Sequence, residues 1–536
     1  MPQAAAIPPV IIPLPGGLSV SGVCLFAVRL AGRVAEAGGR AALLLHRAAG
    51  GTAPIDIPMH PAVLRIDLSH LPPIEEAHGD LRPYLPVYRD TVAEFAADGL
   101  PPALLLGQHE SVFAVAAALS QTVPELMRCV GIAHSDNTYD AAVLTRYEPL
   151  LHRLVGVSDA LELSLRERNA SRAADIRQIG YGVPVPDRIP AREPLGGRPL
   201  RLLYAGRLEH RQKRVLALPK LSAELDRRGV SHELTIAGDG PARDELRAAC
   251  QGRGSIRMVG AQPPERVRSL LAHHDAFVLP SRFEGLSIAM LEALAQGCVP
   301  VCAPSRSGTA QAVAPGVTGA IAAVEPDADE AAAAPALADA IDSLRRRDLP
   351  EMAARCHARA TECFSLDRHA DAWSGLLRGT LPDEPRTWPA DRPCAMDSGT
   401  SDGNADLRNR LRDRLRALAG RPVCIHGTGS TARALAGELA DANVVAVCDD
   451  DRQRHGAGFL GWPVIAPIEA AAAGAGDVII LAALHEQAIW DRREIYTAQG
   501  IRVHRLTADK SNPAMRPPKT AASDTPRRPR VATDAS

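Results

Sequence analysis

The sequence has 536 residues, which is enough for about three domains. Hydrophobic residues make up 46% of the chain and aromatic residues only 3%, so the core must consist mainly of Ala, Val, Leu and Ile. The net charge of −1 provides no basic field for a nucleic-acid partner, and no apolar run reaches the roughly 18 residues of a membrane span.

The cysteines and the N-terminus indicate the compartment. Ten cysteines occur without CxxC or another metal-like spacing, which is typical of free thiols in a reducing cytosol. The stretch AAAIPPVIIPLPGG (4–17) lacks a basic region and contains prolines, so it predicts a first strand and turn rather than a signal peptide. We expect a cytoplasmic protein, with peripheral association at the inner face of the membrane left open.

Short apolar runs alternate with helical patterns along most of the chain, which predicts an α/β fold with parallel sheets. Pro/Gly-rich and polar stretches separate the repeating parts. The predicted organisation is an N-terminal unit at 1–185, a second unit at 198–379, a linker at 380–406, a small third unit at 407–507 and a disordered tail at 508–536.

Two strand ends in the first unit carry candidate ligand contacts. PLPGGLSVSG places Gly16 and Gly17 in a strand-to-helix turn, and GIAHSDNTYD places His134 at the end of an apolar strand, with Asp136 beside it. The glycines could equally form a plain turn. The histidine could equally be a satisfied core residue, or it could donate a hydrogen bond to a ligand near neutral pH. His109 is a weaker candidate at another strand end.

The second unit places cations and glycines at its strand ends. In YAGRLEHRQKR, Gly206 is followed by Arg207 and Lys213, and two cations beyond a strand's carboxyl end suit an anion in the crevice there. In IAGDGPARDEL, Gly238 could allow a ligand to come close to the backbone. Surface charge and a plain strand–helix turn are the alternative interpretations.

The stretch SRFEGLSIAMLEALAQG carries two glutamates eight residues apart. Gly285, Leu286 and Ser287 would open a helix, whose free N–H groups and dipole favour a phosphate. Glu284 in front of the helix can accept hydrogen bonds from hydroxyls. Glu292 lies on roughly the same face and could hold a ribose diol. The alternative is a helix start followed by a surface charge.

The third unit contains a possible dinucleotide-binding fingerprint. In CIHGTGSTARALAGEL, Gly427 and Gly429 follow a strand and open a helix, and Asp449 follows twenty residues after Gly429. The unit is short for a dehydrogenase and shows no clear hydride-transfer partner, with Tyr496 standing alone. A non-redox accessory module is the expected interpretation, and a nucleotide or NAD site remains the alternative.

Five elements in the second unit, in order, resemble the donor-binding half of GT-B glycosyltransferases, and in particular the large retaining family 4. They are Gly206-Arg207, Lys213, GDGP at 238–241, Glu284-x7-Glu292 and ALAQGCVPV. The resemblance implies a GT-B architecture of two Rossmann-like domains facing a cleft, with a third small Rossmann-like α/β domain attached. The segment FSLDRHADAWSGLLRG (364–379) is similar to the family's last helix, which crosses back to the first domain.

The resemblance also implies roles for individual residues. Arg207 and Lys213 would bind the donor diphosphate, Glu284 would contact the transferred sugar, and Glu292 would hold the ribose. His134 would lie near the reacting carbon. The remaining implied donor contacts are Gly16, Gly17, Gly206, Gly238, Gly285, Leu286 and Ser287. No metal is expected, because the chain shows no Asp-x-Asp pair placed like a metal-binding motif.

The resemblance predicts a retaining glycosyltransferase that uses a UDP- or GDP-sugar. The acceptor would be a saccharide or lipid-linked saccharide, as in cell-surface polysaccharide assembly. One alternative is a non-catalytic scaffold that binds a nucleotide sugar. Another is an NAD-linked sugar-modifying enzyme that acts through the C-terminal domain.

Overall fold

A computed structural model gives the fold. It describes residues 7–19, 21–48, 57–77, 79–97, 99–305, 308–326, 328–379, 384–395, 402–418, 420–429, 431–432, 435–439, 442–451, 454–482 and 486–506. The chain divides into two compact units, Met1–Asp402 and Gly403–Ser536. The predicted tail at 508–536 lies outside the described residues.

The first lobe of the larger unit is a seven-stranded parallel sheet in the order β3-β2-β1-β4-β5-β6-β7. Its strands are β1 (Val10–Leu14), β2 (Ala41–His46), β3 (Leu64–Leu68), β4 (Ala103–Leu106), β5 (Arg128–Ala133), β6 (Arg153–Gly156) and β7 (Ile176–Gln178). Its helices are α1 (Gly22–Glu36), α2 (Leu85–Ala96), α3 (Glu110–Ser120), α4 (Thr138–Arg146) and α5 (Asp159–Arg168). The central strands are buried throughout, and apolar except for His46, because helices cover both faces of a parallel sheet.

The second lobe is a six-stranded parallel sheet in the order β10-β9-β8-β11-β12-β13. Its strands are β8 (Leu200–Ala205), β9 (His232–Ala237), β10 (Ile256–Gly260), β11 (Ala276–Leu279), β12 (Val299–Cys302) and β13 (Ala320–Ile321). Its helices are α6 (Ala217–Arg227), α7 (Arg243–Cys250), α8 (Pro264–His273), α9 (Ile288–Ala295), α10 (Thr309–Ala312), α11 (Glu330–Arg345), α12 (Leu349–Phe364) and α13 (Leu366–Gly379).

Polar residues after the strands start several helices that matter for the site. The hydroxyl of Ser21 accepts the N–H of Cys24 at 3.2 Å and begins α1. The hydroxyl of Ser287 accepts the N–H of Met290 at 3.4 Å and begins α9. Such N-caps satisfy N–H groups that have no partner in the first helical turn. They therefore fix α1 and α9 at the carboxyl ends of β1 and β11, where the strand order of each sheet reverses.

Helix α13 returns the chain to the first lobe, as the sequence predicts. The rings of His369 and Trp373 pack against Phe26 of α1, with centroids 5.7 and 5.8 Å apart. The imidazole Nδ1 of His369 lies 2.7 Å from the carbonyl oxygen of Gly180. The two lobes are therefore joined by this helix as well as by the segment between β7 and β8.

The structure differs from the predicted linker at 380–406 in two places. Residues 384–395 pack on the first lobe, because Trp388 is buried and its ring lies 5.1 Å from that of Tyr147. The backbone N–H of Trp388 donates to the Ser120 hydroxyl at 2.9 Å. The next helix, α14 (Asp402–Leu418), begins inside the predicted linker. A buried tryptophan outweighs the polar composition around it, because its large apolar surface is removed from water.

The C-terminal unit is a small α/β sheet in the order β16-β17-β15-β14-β18-β19. All its pairs are parallel except β16 with β17. Its strands are β14 (Val423–His426), β15 (Val444–Cys448), β16 (Gly458–Phe459), β17 (Trp462–Ile465), β18 (Asp477–Ile480) and β19 (Arg502–His504). Two short helices, α15 (Glu486–Asp491) and α16 (Glu494–Thr497), precede β19. This is the predicted third Rossmann-like sheet.

Candidate functional site

The predicted donor residues converge at the carboxyl ends of β8, β9 and β11. Gly206 after β8 donates its N–H to the carbonyl of Ala237 in β9 at 3.0 Å. Gly238 has φ +151°, and a Cβ there would lie 1.9 Å from the carbonyl oxygen of Gly206. Glycine at position 238 is therefore needed to bring the two strand-end turns together.

Lys213 and Glu284 form an ion pair in this crevice. The Lys213 ammonium lies 2.6 Å from Glu284 Oε1, and the two side chains are 18% and 8% exposed. Gln212 helps to join the same two loops, because its amide donates to the carbonyl of Phe283 at 3.1 Å. The structure thus unites two residues that are 71 positions apart in the sequence. Arg207 lies on the turn after β8 and is exposed.

The start of α9 meets the first lobe at His134. A Cβ on Gly285 would lie 2.0 Å from the carbonyl oxygen of His134, so only glycine permits this approach. Leu286 is buried and packs near Gly180 of the connecting segment. The turn before α9 is therefore shaped by the strand end of β5 as well as by its own lobe.

His134 itself is held in a neutral, aromatic environment. Its Nδ1 lies 2.7 Å from the hydroxyl of Tyr181, and its ring centroid is 5.3 Å from that of Phe26. Burial lowers the pKa of His134 to about 3. At neutral pH the imidazole is therefore uncharged and can exchange hydrogen bonds but does not supply a positive charge.

The predicted glycine pair of the first lobe lies on the same edge. Gly17 has φ +62°, and a Cβ there would come within 2.8 Å of the His46 carbonyl. A few residues on, Gly22 at the start of α1 lies against Ile288 at the start of α9, with a Cβ position 3.6 Å from its side chain. The turns after β1 and β11 therefore approach each other across the two lobes.

Glu292, the second glutamate of the motif, contacts a residue of the first lobe. The Arg29 guanidinium of α1 forms a short ion pair with Glu292 Oε1, and the side chains are 10% and 4% exposed. Arg29 also donates to the carbonyl of Gly182 at 3.2 Å. The two glutamates of the motif therefore have partners in different lobes. Glu284 pairs with Lys213 of the second lobe, and Glu292 pairs with Arg29 of the first.

Sequence reasoning missed three of these residues: Arg29, Tyr181 and Phe26. Arg29 stands in the otherwise apolar helical stretch GVCLFAVRLAG, and a lone charge there was a usable signal. Tyr181 stands in a Pro/Gly-rich stretch that reads as a linker. Asp136 is only partly buried at the start of the following turn, and His109 caps α3 by accepting the Ser111 N–H at 3.3 Å.

A cavity of about 490 Å³ opens elsewhere between the two lobes. It lies beside the connecting segment and α13, where its lining includes Gln178, Gln311 and Arg359. It shares Tyr181 with the surroundings of His134, but it is lined by none of the predicted site residues.

The fingerprint of the C-terminal unit also comes together, but its acid is engaged locally. Asp449 Oδ2 accepts the backbone N–H of Thr428 at 3.1 Å and also the Thr428 hydroxyl. Asp449 Oδ1 accepts the N–H of Asp451 at 2.9 Å, and the Arg454 guanidinium lies 3.8 Å from Oδ2. Gly427 has φ +122° and packs near the Leu481 carbonyl, whereas Gly429 has open space around it. This carboxylate stabilises its own turn.

A buried polar chain lies next to that turn. The hydroxyl of Tyr496 is 2.6 Å from His426 Nδ1, and His426 Nε2 is 3.5 Å from Asp450. Burial opposes the charged carboxylate, yet the contacts with His426 and Arg492 keep the pKa of Asp450 below its usual range. Tyr496, which stands alone in the sequence, is therefore part of a structural network.

The described part of the chain contains neither a membrane-spanning helix nor a cluster of metal ligands. No helix among those residues is long and apolar enough to cross a bilayer. In the same residues, no group of three or more His, Cys, Asp or Glu side chains could hold a metal ion.

The match to a known family lies in the second lobe and its flanking segments. Residues 187–362 match the family model for glycosyl transferases group 1. Over 191 residues the chain is 32% identical to the alpha-D-kanosaminyltransferase of Streptomyces kanamyceticus, covering 34% of this chain and 46% of that protein. Over 206 residues it is 35% identical to a glycogen synthase of Mycobacterium tuberculosis, covering 37% of this chain and 47% of that protein. The matches thus span about half the length of these relatives.

Solved structures share the fold. The sucrose-phosphate synthase of Thermosynechococcus elongatus has a TM-score of 0.56 at 19% identity, over 69% of this chain and 98% of that one. Anabaena Alr3699/HepE in complex with UDP and glucose has a TM-score of 0.52 at 15% identity, over 69% of this chain and 99% of that one. The predicted GT-B architecture is confirmed, with the two lobes as its Rossmann-like domains.

Proposed function

We propose that this chain, which carries a glycosyl transferases group 1 domain on a GT-B fold, is a retaining glycosyltransferase that moves a sugar from a UDP- or GDP-sugar to a saccharide or lipid-linked saccharide. The observation that carries the proposal is the Lys213–Glu284 pair. It joins the loops after β8 and β11 at 2.6 Å, directly before the N-terminus of α9. A cation, a carboxylate and a helix start at one crevice match the diphosphate and the sugar of such a donor.

The chemistry follows from where charge develops. The bond between the anomeric carbon and the diphosphate oxygen breaks, and a bond from that carbon to an acceptor hydroxyl oxygen forms. The proton of that hydroxyl passes to the released diphosphate. Negative charge accumulates on the departing diphosphate, and Lys213 and Arg207 stabilise it. Preorganised cations act strongly in a crevice that excludes water. Glu284 orients the transferred sugar through its hydroxyls, while neutral His134 can donate a hydrogen bond from the facing lobe.

The acceptor is proposed at the level of its class. The names of the kanosaminyltransferase and the glycogen synthase refer to different products, so these relatives support glycosyl transfer in general. Two further relatives carry names from colanic acid and amylovoran biosynthesis, with 31% and 30% identity. They support assembly of a cell-surface polysaccharide. A lipid-linked acceptor would place the protein at the inner face of the membrane.

We assign the C-terminal unit an accessory role without redox chemistry. The support is the local engagement of Asp449, whose two oxygens accept hydrogen bonds from residues 428 and 451. An acid held in this way is poorly available for the hydroxyls of an NAD ribose. The scaffold alternative is weakened by the intact set of Arg207, Lys213, Glu284 and Glu292.

Thermal melting with UDP, GDP, ADP and NAD tests the donor class. A ligand present at about 100 times its dissociation constant adds about 2.7 kcal/mol of stability. The assay is run on the full chain and on a shortened chain ending at residue 402, which retains the packed segment 384–395 and the whole larger unit. Stabilisation of both chains by UDP or GDP supports the proposal. Stabilisation of only the full chain, and only by NAD, contradicts it.

Product analysis tests the stereochemical part. The active nucleotide identifies the donor series, and NMR of the anomeric proton in the transferred sugar reports its configuration. An unchanged configuration supports retention, and an inverted one contradicts it while leaving sugar transfer itself established.

A further inference from the structure

Glu292 is buried and is paired with Arg29 of the other lobe. Its side chain is only 4% exposed, and the short contact with the Arg29 guanidinium occupies Oε1. The guanidinium is itself anchored on the carbonyl of Gly182 in the segment that connects the lobes. The pair thus ties together α1, the connecting segment and α9.

The contact lies between α1 and α9, at one of the places where the two lobes meet. Gly22 meets Ile288 at the starts of α1 and α9, and Arg29 and Glu292 follow farther along the same helices. Hydroxyls of a ribose therefore cannot form a hydrogen bond with Glu292 Oε1 while Arg29 occupies it. Breaking a buried ion pair is costly unless another polar group replaces the lost partner. The two hydroxyls of a ribose can serve as that replacement.

We propose that Arg29 blocks Glu292, and that the ribose of the nucleotide donor displaces it, so that the pair is an autoinhibitory contact between the lobes. This inference rests on the proposed function, because it takes Glu292 as the ribose carboxylate. It adds that the first lobe controls access to a subsite in the second. Donor binding and loosening of the α1–α9 contact are then one event.

The expected size of the effect follows from population arithmetic. If the pair is closed in about nine of ten molecules, the apparent dissociation constant of a ribonucleotide is about tenfold weaker than that of a protein with Glu292 free. Removing the block should therefore tighten binding of a ribonucleotide by up to about tenfold. The gain should be smaller for a 2′-deoxynucleotide, because it offers only one of the two hydroxyls.

The test compares UDP with 2′-deoxy-UDP, or GDP with 2′-deoxy-GDP if GDP is the nucleotide that stabilises the protein. Dissociation constants are measured by calorimetry on the full-length wild type, Arg29→Met, Arg29→Lys and Glu292→Gln. We expect Arg29→Met to tighten ribonucleotide binding and to increase the preference over the deoxy form. Arg29→Lys should lie between it and the wild type, and Glu292→Gln should lose the preference.

Arg33→Met is the matched control on the same helix. Arg33 pairs with Glu36 and Asp367 rather than with α9, so its loss should leave the ribose preference unchanged. If Arg29→Met weakens both nucleotides equally or leaves the preference as it is, the inference is overturned. If it weakens only the ribonucleotide, Arg29 supports the ribose instead of blocking it, and the inference is overturned as well.

The same measurements distinguish a failure of this inference from a failure of the proposed function. A wild type that binds and turns over a nucleotide sugar without any preference for ribose over deoxyribose overturns the block but leaves the transferase intact. A wild type that binds neither UDP nor GDP overturns both. The Lys variant retains the charge and length of the side chain, so it still reports if the Met variant folds poorly.

Discussion

Two acids are assigned to ribose by pattern alone, Glu292 in the second lobe and Asp449 in the C-terminal unit, and the structure treats them differently. The partner of Glu292 is Arg29, 263 residues away and on the facing lobe. The partner of Asp449 is Thr428, 21 residues away in the glycine turn of the same motif. A partner on a separate lobe can leave when the lobes shift, whereas a partner in the same turn leaves only if the turn unfolds. A sequence motif thus names an acid without telling whether it is available.

The largest effect is expected in the second lobe, where sugar transfer should depend on Glu284 and Lys213. Glu284→Ala should lower the transfer rate by about 10²- to 10³-fold with little effect on nucleotide affinity, because it removes a contact to the transferred sugar. Lys213→Ala should reduce both transfer and affinity, since we propose that its charge faces the donor diphosphate. Steady-state kinetics and calorimetry measure the two effects.

Lys220→Ala provides the matched control for Lys213. Lys220 is exposed on α6 of the same lobe, so its loss should change neither transfer nor affinity. Wild-type transfer by the Glu284 variant would remove that residue from the assigned role.

A substitution at Gly285 tests whether sugar transfer depends on the close contact between the two lobes. Gly285→Ala would place a Cβ 2.0 Å from the His134 carbonyl, so the turn before α9 and the end of β5 must move apart. We expect transfer to fall by about tenfold or more, as misplacement near the chemistry does. The same change at Gly254, where a Cβ meets nothing within 4 Å, should be neutral. Equal activities of the two variants would show that this close approach is not needed for transfer.

The neutral state of His134 makes a prediction about pH. Its pKa of about 3 in the fold is far below the ordinary value near 6.5, so folding favours the uncharged ring. The resulting stability is fully present above pH 6.5 and declines as pH falls from 6.5 towards 3. One such residue should cost about 2 kcal/mol between pH 6.5 and pH 5.

Urea unfolding of the wild type and His134→Gln at pH 7 and pH 5 measures how much His134 contributes to the pH dependence of the free energy of unfolding. The Gln variant should lose less stability on acidification than the wild type. His273→Gln, which changes an exposed histidine at the end of α8, should behave like the wild type. An identical loss in His134→Gln would mean that His134 is already accessible to protons in the folded protein.

The smallest effect is expected in the C-terminal unit. Thr428→Val removes the hydroxyl that donates to Asp449, which should destabilise that unit by about 1 kcal/mol. Hydrogen exchange of the peptides covering β14 and β15 would detect it. Transfer and UDP or GDP binding should not change, in contrast to the second-lobe variants. Thr497→Val, at an exposed position on α16, serves as the control. A loss of transfer in Thr428→Val would give the C-terminal unit a part in the reaction.

The site shows how far pattern reasoning reaches. Apolar strands that end in glycine turns predict where the loops at the edge of the sheet lie. This pattern indicates the loops that carry Lys213 and Glu284, and the structure brings these two residues into contact. The same reasoning did not reach Arg29 or Tyr181, because each acts on a residue of a distant element. It also assigned Trp388 to a linker. Composition depends on neighbours along the chain, whereas the burial of Trp388 depends on the surface against which its side chain packs.

The sequence by itself determined the α/β class, the three sheets and the resemblance to GT-B glycosyltransferases. These depend on hydrophobic periodicity, turn glycines and helix caps, which act over a few residues. Only the tertiary structure decided that Glu292 is paired with Arg29, that the His134 carbonyl restricts position 285, and that Asp449 is held by its own turn. Such contacts depend on how packed elements meet in space, and burial then sets which charges are paired and which rings stay neutral.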